Sequence, residues 1–147
     1  MSKTTDILRN TRTIAIVGMS DKADRPSYEV GHVLQGAGYR IVPINPVIAA
    51  KGTKVLDETV YASLTDAAEA LKAAGQAPID LVDVFRKSEE VLPVAQEAIA
   101  IGAKTLWLQL NISNAEAEQM AAVAGLQVVA NRCTKIEWMQ SDIGKVN

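Results

Sequence analysis

Five short apolar runs rich in Val and Ile punctuate the chain, at 13–17, 40–44, 79–84, 104–108 and 127–129. Runs of this kind are what strands buried on both faces look like. Between them the apolar positions fall three and four apart, the period of a helix packed by one face. Val30, Val33, Leu34 and Ala37 form one such stripe, and Ala67, Leu71 and Ala74 a second. Val94, Ala95, Ala98 and Ile101 form a third, and Ala117, Met120, Ala121 and Ala124 a fourth.

The ends of these helices are also readable. Ser27 and Thr65 stand where side-chain caps are expected, and Ser113-Asn114-Ala115-Glu116 has the spacing of a capping box. Gly38, Gly75, Gly102 and Gly125 follow the last helical positions, where a left-handed turn ends a helix. The third helix is expected to start between Ser88 and Pro93, because proline fits only a first turn. Strands alternating with helices predict right-handed crossovers. The fold expected is Rossmann-like α/β: a doubly wound, mainly parallel sheet of five to six strands with helices on both faces. It is read as one domain over 1–147, with a core at about 13–137. The segment 47–64 reads as a connection with a short strand at 60–63, and His32 as a partly buried helix residue.

Length and composition agree with that reading. A chain of 147 residues buries roughly 70% of its unfolded surface. With 48% hydrophobic but only 4% aromatic residues, helices packed closely on a sheet are favoured over an aromatic-rich sandwich. A net charge of −2 argues against nucleic-acid binding. No apolar run approaches the ~20 residues of a membrane span, and the polar start lacks a secretory pattern. One cysteine, Cys133, excludes an internal disulfide framework and fits a reducing cytoplasm. One Cys and one His leave no four-ligand zinc set.

In a doubly wound sheet ligands bind beyond the carboxyl ends of the strands. The chain places there the loop from Gly18 through Ser20 and Arg25 to Ser27, then Asn45-Pro46, Phe85-Arg86-Lys87, Gln109, and Asn131-Arg132-Cys133. Basic residues often begin and end loops, so Arg25, Arg86, Lys87 and Arg132 weigh little one by one. Together on one edge of a slightly acidic protein they describe an anion site. A helix N-terminus adds unpaired N–H groups, Arg25 adds a bidentate grip, and Gly18 allows close backbone approach. The loop has one glycine in place of G-x-G-x-x-G, and the second strand ends in Asn45-Pro46 without the acid that holds a ribose diol. NAD is therefore disfavoured, and the missing Gly-Lys-Ser/Thr ending disfavours a P-loop.

Eight segments in order carry a family resemblance: Ile16-Val17-Gly18-Met19-Ser20, Arg25-Pro26-Ser27, Pro43-Ile44-Asn45-Pro46, Val84-Phe85-Arg86, Gly102-Ala103-Lys104, Trp107-Leu108-Gln109, Ala124-Gly125-Leu126 and Arg132-Cys133. Over 13–137 the chain resembles the small stand-alone CoA-binding proteins, whose domain is similar to the N-terminal domain of the succinyl-CoA synthetase α subunit. The resemblance implies coenzyme A as the cofactor. It implies that Gly18, Met19, Ser20, Arg25, Pro26 and Ser27 lie near its phosphates and Asn45 and Pro46 beside its nucleotide. Phe85, Arg86, Gln109 and Cys133 would line the rest. Asn131 departs from the Asp that relatives often carry there.

No Ser/His/Asp or Cys/His arrangement has workable spacing, so no catalytic residue is assigned. Cys133 reads first as a small apolar filler; at a ligand edge it is also placed to form a mixed disulfide with the CoA thiol. Trp107 and Trp138 read as packing residues, and Glu89-Glu90 as a helix start. Three functions stay open. The chain binds CoA or acyl-CoA as a small-molecule ligand without chemistry, as a sensor or carrier; or it is part of a CoA-dependent acyl transferase or ligase; or it binds another nucleotide cofactor such as NAD(P).

Overall fold

The computed structural model describes residues 2–146. Its five strands are β1 (Thr13–Val17), β2 (Arg40–Ile44), β3 (Leu81–Val84), β4 (Thr105–Leu108) and β5 (Gln127–Val129). They form one parallel sheet in the order β2-β1-β3-β4-β5. The seven helices are α1 (Lys3–Arg9), α2 (Pro26–Gly36), α3 (Pro46–Lys51), α4 (Leu64–Ala73), α5 (Val91–Ala100), α6 (Ala115–Val123) and α7 (Thr134–Met139). The doubly wound α/β architecture is therefore as the pattern predicts, with five strands.

Alternation along the strands sorts the core into two layers. Ile14, Ile16, Leu81 and Trp107 face one way, packed with Leu8 of α1, Val30 and Leu34 of α2, and Ile48 of α3. Ala15, Val17, Val82, Val84, Leu106 and Leu108 face the other way, under Leu64 and Leu71 of α4, Ala95 and Ala98 of α5, and Ala117 and Ala121 of α6. Alanine at the helix–sheet contacts lets the layers approach closely, which explains the Ala-rich, aromatic-poor composition.

Three helix starts differ from the expected residue. α2 begins at Pro26, whose fixed φ suits a first turn, so Arg25 holds the cap position and Ser27 lies inside the helix. α4 is capped by Ser63, which accepts from the Asp66 N–H, while the Thr65 hydroxyl donates to Glu97 across the helix pair. α6 is capped by Asn114, whose side chain accepts from the Ala117 N–H while Glu118 accepts from the Asn114 N–H.

The expected strand at 60–63 is a single bridge between Tyr61 and Ile44. Ahead of it runs α3, where Asn45 accepts from the Val47 and Ile48 N–H groups and Pro46 takes the first position. His32 is exposed rather than partly buried, its ring stacked on Tyr28 with centroids 6.5 Å apart. Both tryptophans pack: Trp107 is buried and donates to the Arg132 carbonyl at 2.9 Å, and Trp138 donates to the Gly144 carbonyl. Among the described residues no helix is long and apolar enough to cross a membrane.

Candidate functional site

The chain leaves β1 toward β2 on one side and returns to β3 on the other. The carboxyl ends of β1 and β3 are thus the point where a doubly wound sheet opens a crevice. Gly18 opens the loop there at φ +87°, a left-handed conformation that suits glycine. The turn is tied down from several sides. The N–H groups of Gly18 and Met19 both donate to the Ile44 carbonyl, at 3.0 and 3.2 Å, and the Phe85 N–H donates to the Val17 carbonyl at 2.8 Å. Further on, the Ser20 N–H donates to Ser27 Oγ at 2.9 Å and the Lys22 N–H to Ser20 Oγ at 3.0 Å. Ser27 therefore closes the loop instead of capping α2. No side chain caps that helix, and its start borders the cleft through Pro26 and Ser27.

The cleft holds about 770 Å³. Lys22, Arg25, Arg86 and Lys87 line it, and no acidic side chain among the described residues does. Its apolar wall is Val30, Phe85, Leu110, Ile112 and Cys133. Arg25 is exposed, whereas Arg86 is half-exposed and paired with Glu90 at 3.1 Å. A protein with net charge −2 thus carries a local basic concavity at a helix start, an arrangement that attracts anions.

Gly18, Ser20, Arg25, Pro26, Ser27, Phe85, Arg86, Gln109 and Cys133 meet around this cleft. The other three residues expected at the site are placed differently. Met19 is fully buried in the core beneath Gly31 of α2. Asn45 caps α3 with its oxygen and donates its amide to the Met19 carbonyl at 2.8 Å, so it locks the two loops together. Pro46 borders a smaller hollow beyond the ridge of Gly18 and Arg86, in company with Glu89, Glu90 and Glu97. Arg132, expected with the basic cluster, turns away to Glu137 at 3.8 Å and lines a hollow on another side. The oxygen of Asn131 accepts from the Asn111 N–H at 2.7 Å, with both residues left-handed. An Asp would present the same acceptor.

Lys22, Val30, Leu110, Asn111 and Ile112 line the cleft without having been singled out. All but Val30 directly follow β1 or β4, so the rule of carboxyl ends contained the signal. The larger omission is Asp83, a carboxylate inside the apolar strand β3 and fully buried. Gln109 Nε2 donates to its Oδ1 at 2.5 Å, and the Thr134 hydroxyl donates to its Oδ2 at 2.8 Å. Burial pushes the Asp83 pKa up to about 7, against these two hydrogen bonds, which favour the ionised form.

A family model described as "CoA binding domain" matches residues 12–139. The uncharacterized protein YneT of Bacillus subtilis (strain 168) is 39% identical over 132 residues, 89% of this chain and 88% of that one. A solved hypothetical protein from Pyrococcus horikoshii OT3 is similar at 35% identity and a TM-score of 0.80, over 93% of this chain and 88% of that one. The dinucleotide-forming acetyl-coenzyme A synthetase 1 of Ca. Korarchaeum cryptofilum shares the fold. There the identity is 20% and the TM-score 0.63, over 84% of this chain and 26% of the synthetase.

Proposed function

The chain belongs to the CoA-binding domain family, and from that premise we propose that it holds coenzyme A in the cleft at the carboxyl edge of the sheet, without chemistry of its own. The observation that carries the reading is that Lys22, Arg25, Arg86 and Lys87 line one cleft with Pro26 and Ser27 at the start of α2, while no acidic side chain among the described residues lines it. Coenzyme A brings a pyrophosphate and a 3′-phosphate, and that set of donors suits several phosphate charges at once. Arg25 grips phosphate, Ser20 offers its hydroxyl hydrogen, and Arg86 exchanges Glu90 for the ligand. The pantetheine arm then lies along Val30, Phe85, Leu110 and Ile112, apolar surface that matches its methylene and methyl groups.

The cleft gathers basic, amide, hydroxyl and apolar groups, and no histidine or carboxylate among the described residues lines it to serve Ser20, Ser27 or Cys133 as a base. A binding role, as carrier or sensor of CoA or an acyl-CoA, follows from that set more directly than acyl transfer or ligation. A thermal-shift panel of CoA, acetyl-CoA, NAD, NADP, FMN and ATP tests the reading, since a ligand of the folded state raises Tm. Stabilisation by CoA or acetyl-CoA above the others is expected. A shift with NAD and none with either CoA species would overturn it.

A further inference from the structure

The cleft has a buried polar floor that phosphate binding does not use. Asp83, Gln109 and Thr134 are respectively 0%, 4% and 0% exposed, and their side chains form a closed ring. Gln109 Nε2 donates both to Asp83 Oδ1 at 2.5 Å and to Thr134 Oγ1 at 3.0 Å, while the Thr134 hydroxyl donates to Asp83 Oδ2 at 2.8 Å. An ionised carboxylate can only accept, so the amide nitrogen must be the atom turned toward it. Both amide hydrogens are then engaged. Gln109 also lines the cleft, and the polar atom it has left to offer there is Oε1.

We propose that Asp83 acts through Gln109 as a positioning residue, holding Gln109 Oε1 toward the cleft to accept a hydrogen bond from an N–H group of the ligand. This rests on the CoA reading above and adds which part of the molecule the inner wall recognises. Coenzyme A has N–H donors in two places, the amides of the pantetheine arm and the exocyclic amine of adenine.

The arrangement is sensitive to the charge on Asp83. Once protonated, the carboxyl becomes a donor, and the Gln109 amide can turn its oxygen inward to accept from it. The wall then shows N–H groups to an N–H ligand, and the contact is lost. Among the described residues no charged side chain adds to the burial and the two hydrogen bonds that act on the Asp83 carboxyl. In register with Asp83 stand Ile16 of β1 and Trp107 of β4. α2 turns Val30 and Leu34 to the core and leaves Glu29 and His32 exposed. On α7, Lys135 pairs with Glu29, and Glu137 accepts from Thr4 and faces Arg132. Arg86, after β3, pairs with Glu90. Cys133, which precedes Thr134, is a buried free thiol.

Two measurements decide the matter. In the ligand-free wild-type protein, the Gln109 side-chain amide signals, followed by 15N NMR, are expected to titrate with Asp83, near pH 7. Signals that stay fixed through that range overturn the proposal without reference to any ligand. Calorimetric titration with CoA is expected to show Asp83→Asn binding about fivefold more weakly at about pH 8, the size of one ordinary hydrogen bond. The wild-type advantage disappears by about pH 6, while Tm of the variant stays at or above wild type. Repeating the titration with 4′-phosphopantetheine and adenosine 3′,5′-bisphosphate separates the two donors: the loss follows the first if an arm amide is bound, the second if the adenine amine is. CoA binding with no Asp83→Asn effect, or equal losses with both fragments, overturns the proposal while leaving the CoA reading intact. No binding of CoA to the wild type removes the CoA reading and, with it, this assignment.

Discussion

The carbonyl oxygen of Phe85 occupies the space where residue 18 would carry a side chain. At φ +87° Gly18 turns the chain there, and the Phe85 N–H pairs with the carbonyl of Val17 at 2.8 Å. The loop after β1 and the segment bearing Arg86 are thus pressed together at their base, which is why Lys22, Arg25 and Arg86 share one cleft. Gly18→Ala meets both a left-handed backbone cost of about 1–2 kcal/mol and a clash with backbone that cannot swing aside. The expected outcome is a lower Tm together with weakened CoA binding, read by thermal denaturation and calorimetry. A variant with wild-type Tm would show that the two segments are free to separate.

Arg25 precedes α2 with its side chain exposed and makes no cap. Arg25→Ala therefore leaves Tm nearly unchanged. Its guanidinium is available to phosphate, and a charged hydrogen bond contributes about 1.5–3 kcal/mol. Affinity for CoA is expected to fall about tenfold or more, with a shallower dependence on salt. An unchanged dissociation constant would remove Arg25 from the site.

Glu90 competes for Arg86. The pair is 3.1 Å apart and some 40% and 41% exposed, so breaking it loses little stability. Glu90→Gln leaves Arg86 without that partner and also lowers the negative charge beside the cleft. CoA is expected to bind the variant up to about fivefold more tightly, the upper range for an exposed pair of this kind. Weaker binding would mean that Glu90 orients Arg86 for the ligand.

Asp83 ties stability to pH. Its pKa rises from the ordinary 3.8 to about 7 on folding, so the native state holds the proton more firmly than the unfolded chain. The stabilisation from this group is complete below about pH 4 and is lost as pH rises through 7. Asp83→Asn removes the titration. Urea denaturation at a series of pH values should show wild type losing stability relative to the variant between about pH 4 and pH 7, then running parallel to it. Parallel curves throughout would mean that Asp83 ionises normally.

Much of this molecule could be read from the chain because local rules spell it out. Val-rich runs marked all five strands, and three-four spacing marked α2, α4, α5 and α6. The glycine, arginine and serine of the first loop marked a segment that lines the cleft. The short helices were harder to read. Pro46 hid α3 inside an apparent connection, although Asn45-Pro46 is a cap followed by a first-turn proline. α7 has only six residues, too few for a stripe to stand out. Cap positions slipped by one or two residues for a related reason: Ser27, Thr65 and Ser113 each have a neighbour that can begin the helix, and the choice depends on partners such as Ser20 and Glu97.

By itself the sequence determined the alternation of strands and helices, the one-glycine loop and the basic residues at the strand ends. These follow from spacing and backbone preference, which act over a few positions. Only the tertiary structure decided that Arg132 turns away while Lys22 turns in, that Asn45 locks a loop, and that Asp83 lies beneath Gln109 and Thr134. Those three side chains come from segments 26 and 51 positions apart. Hydrogen bonds over such distances depend on how β3, β4 and α7 are laid side by side, and no local pattern records that.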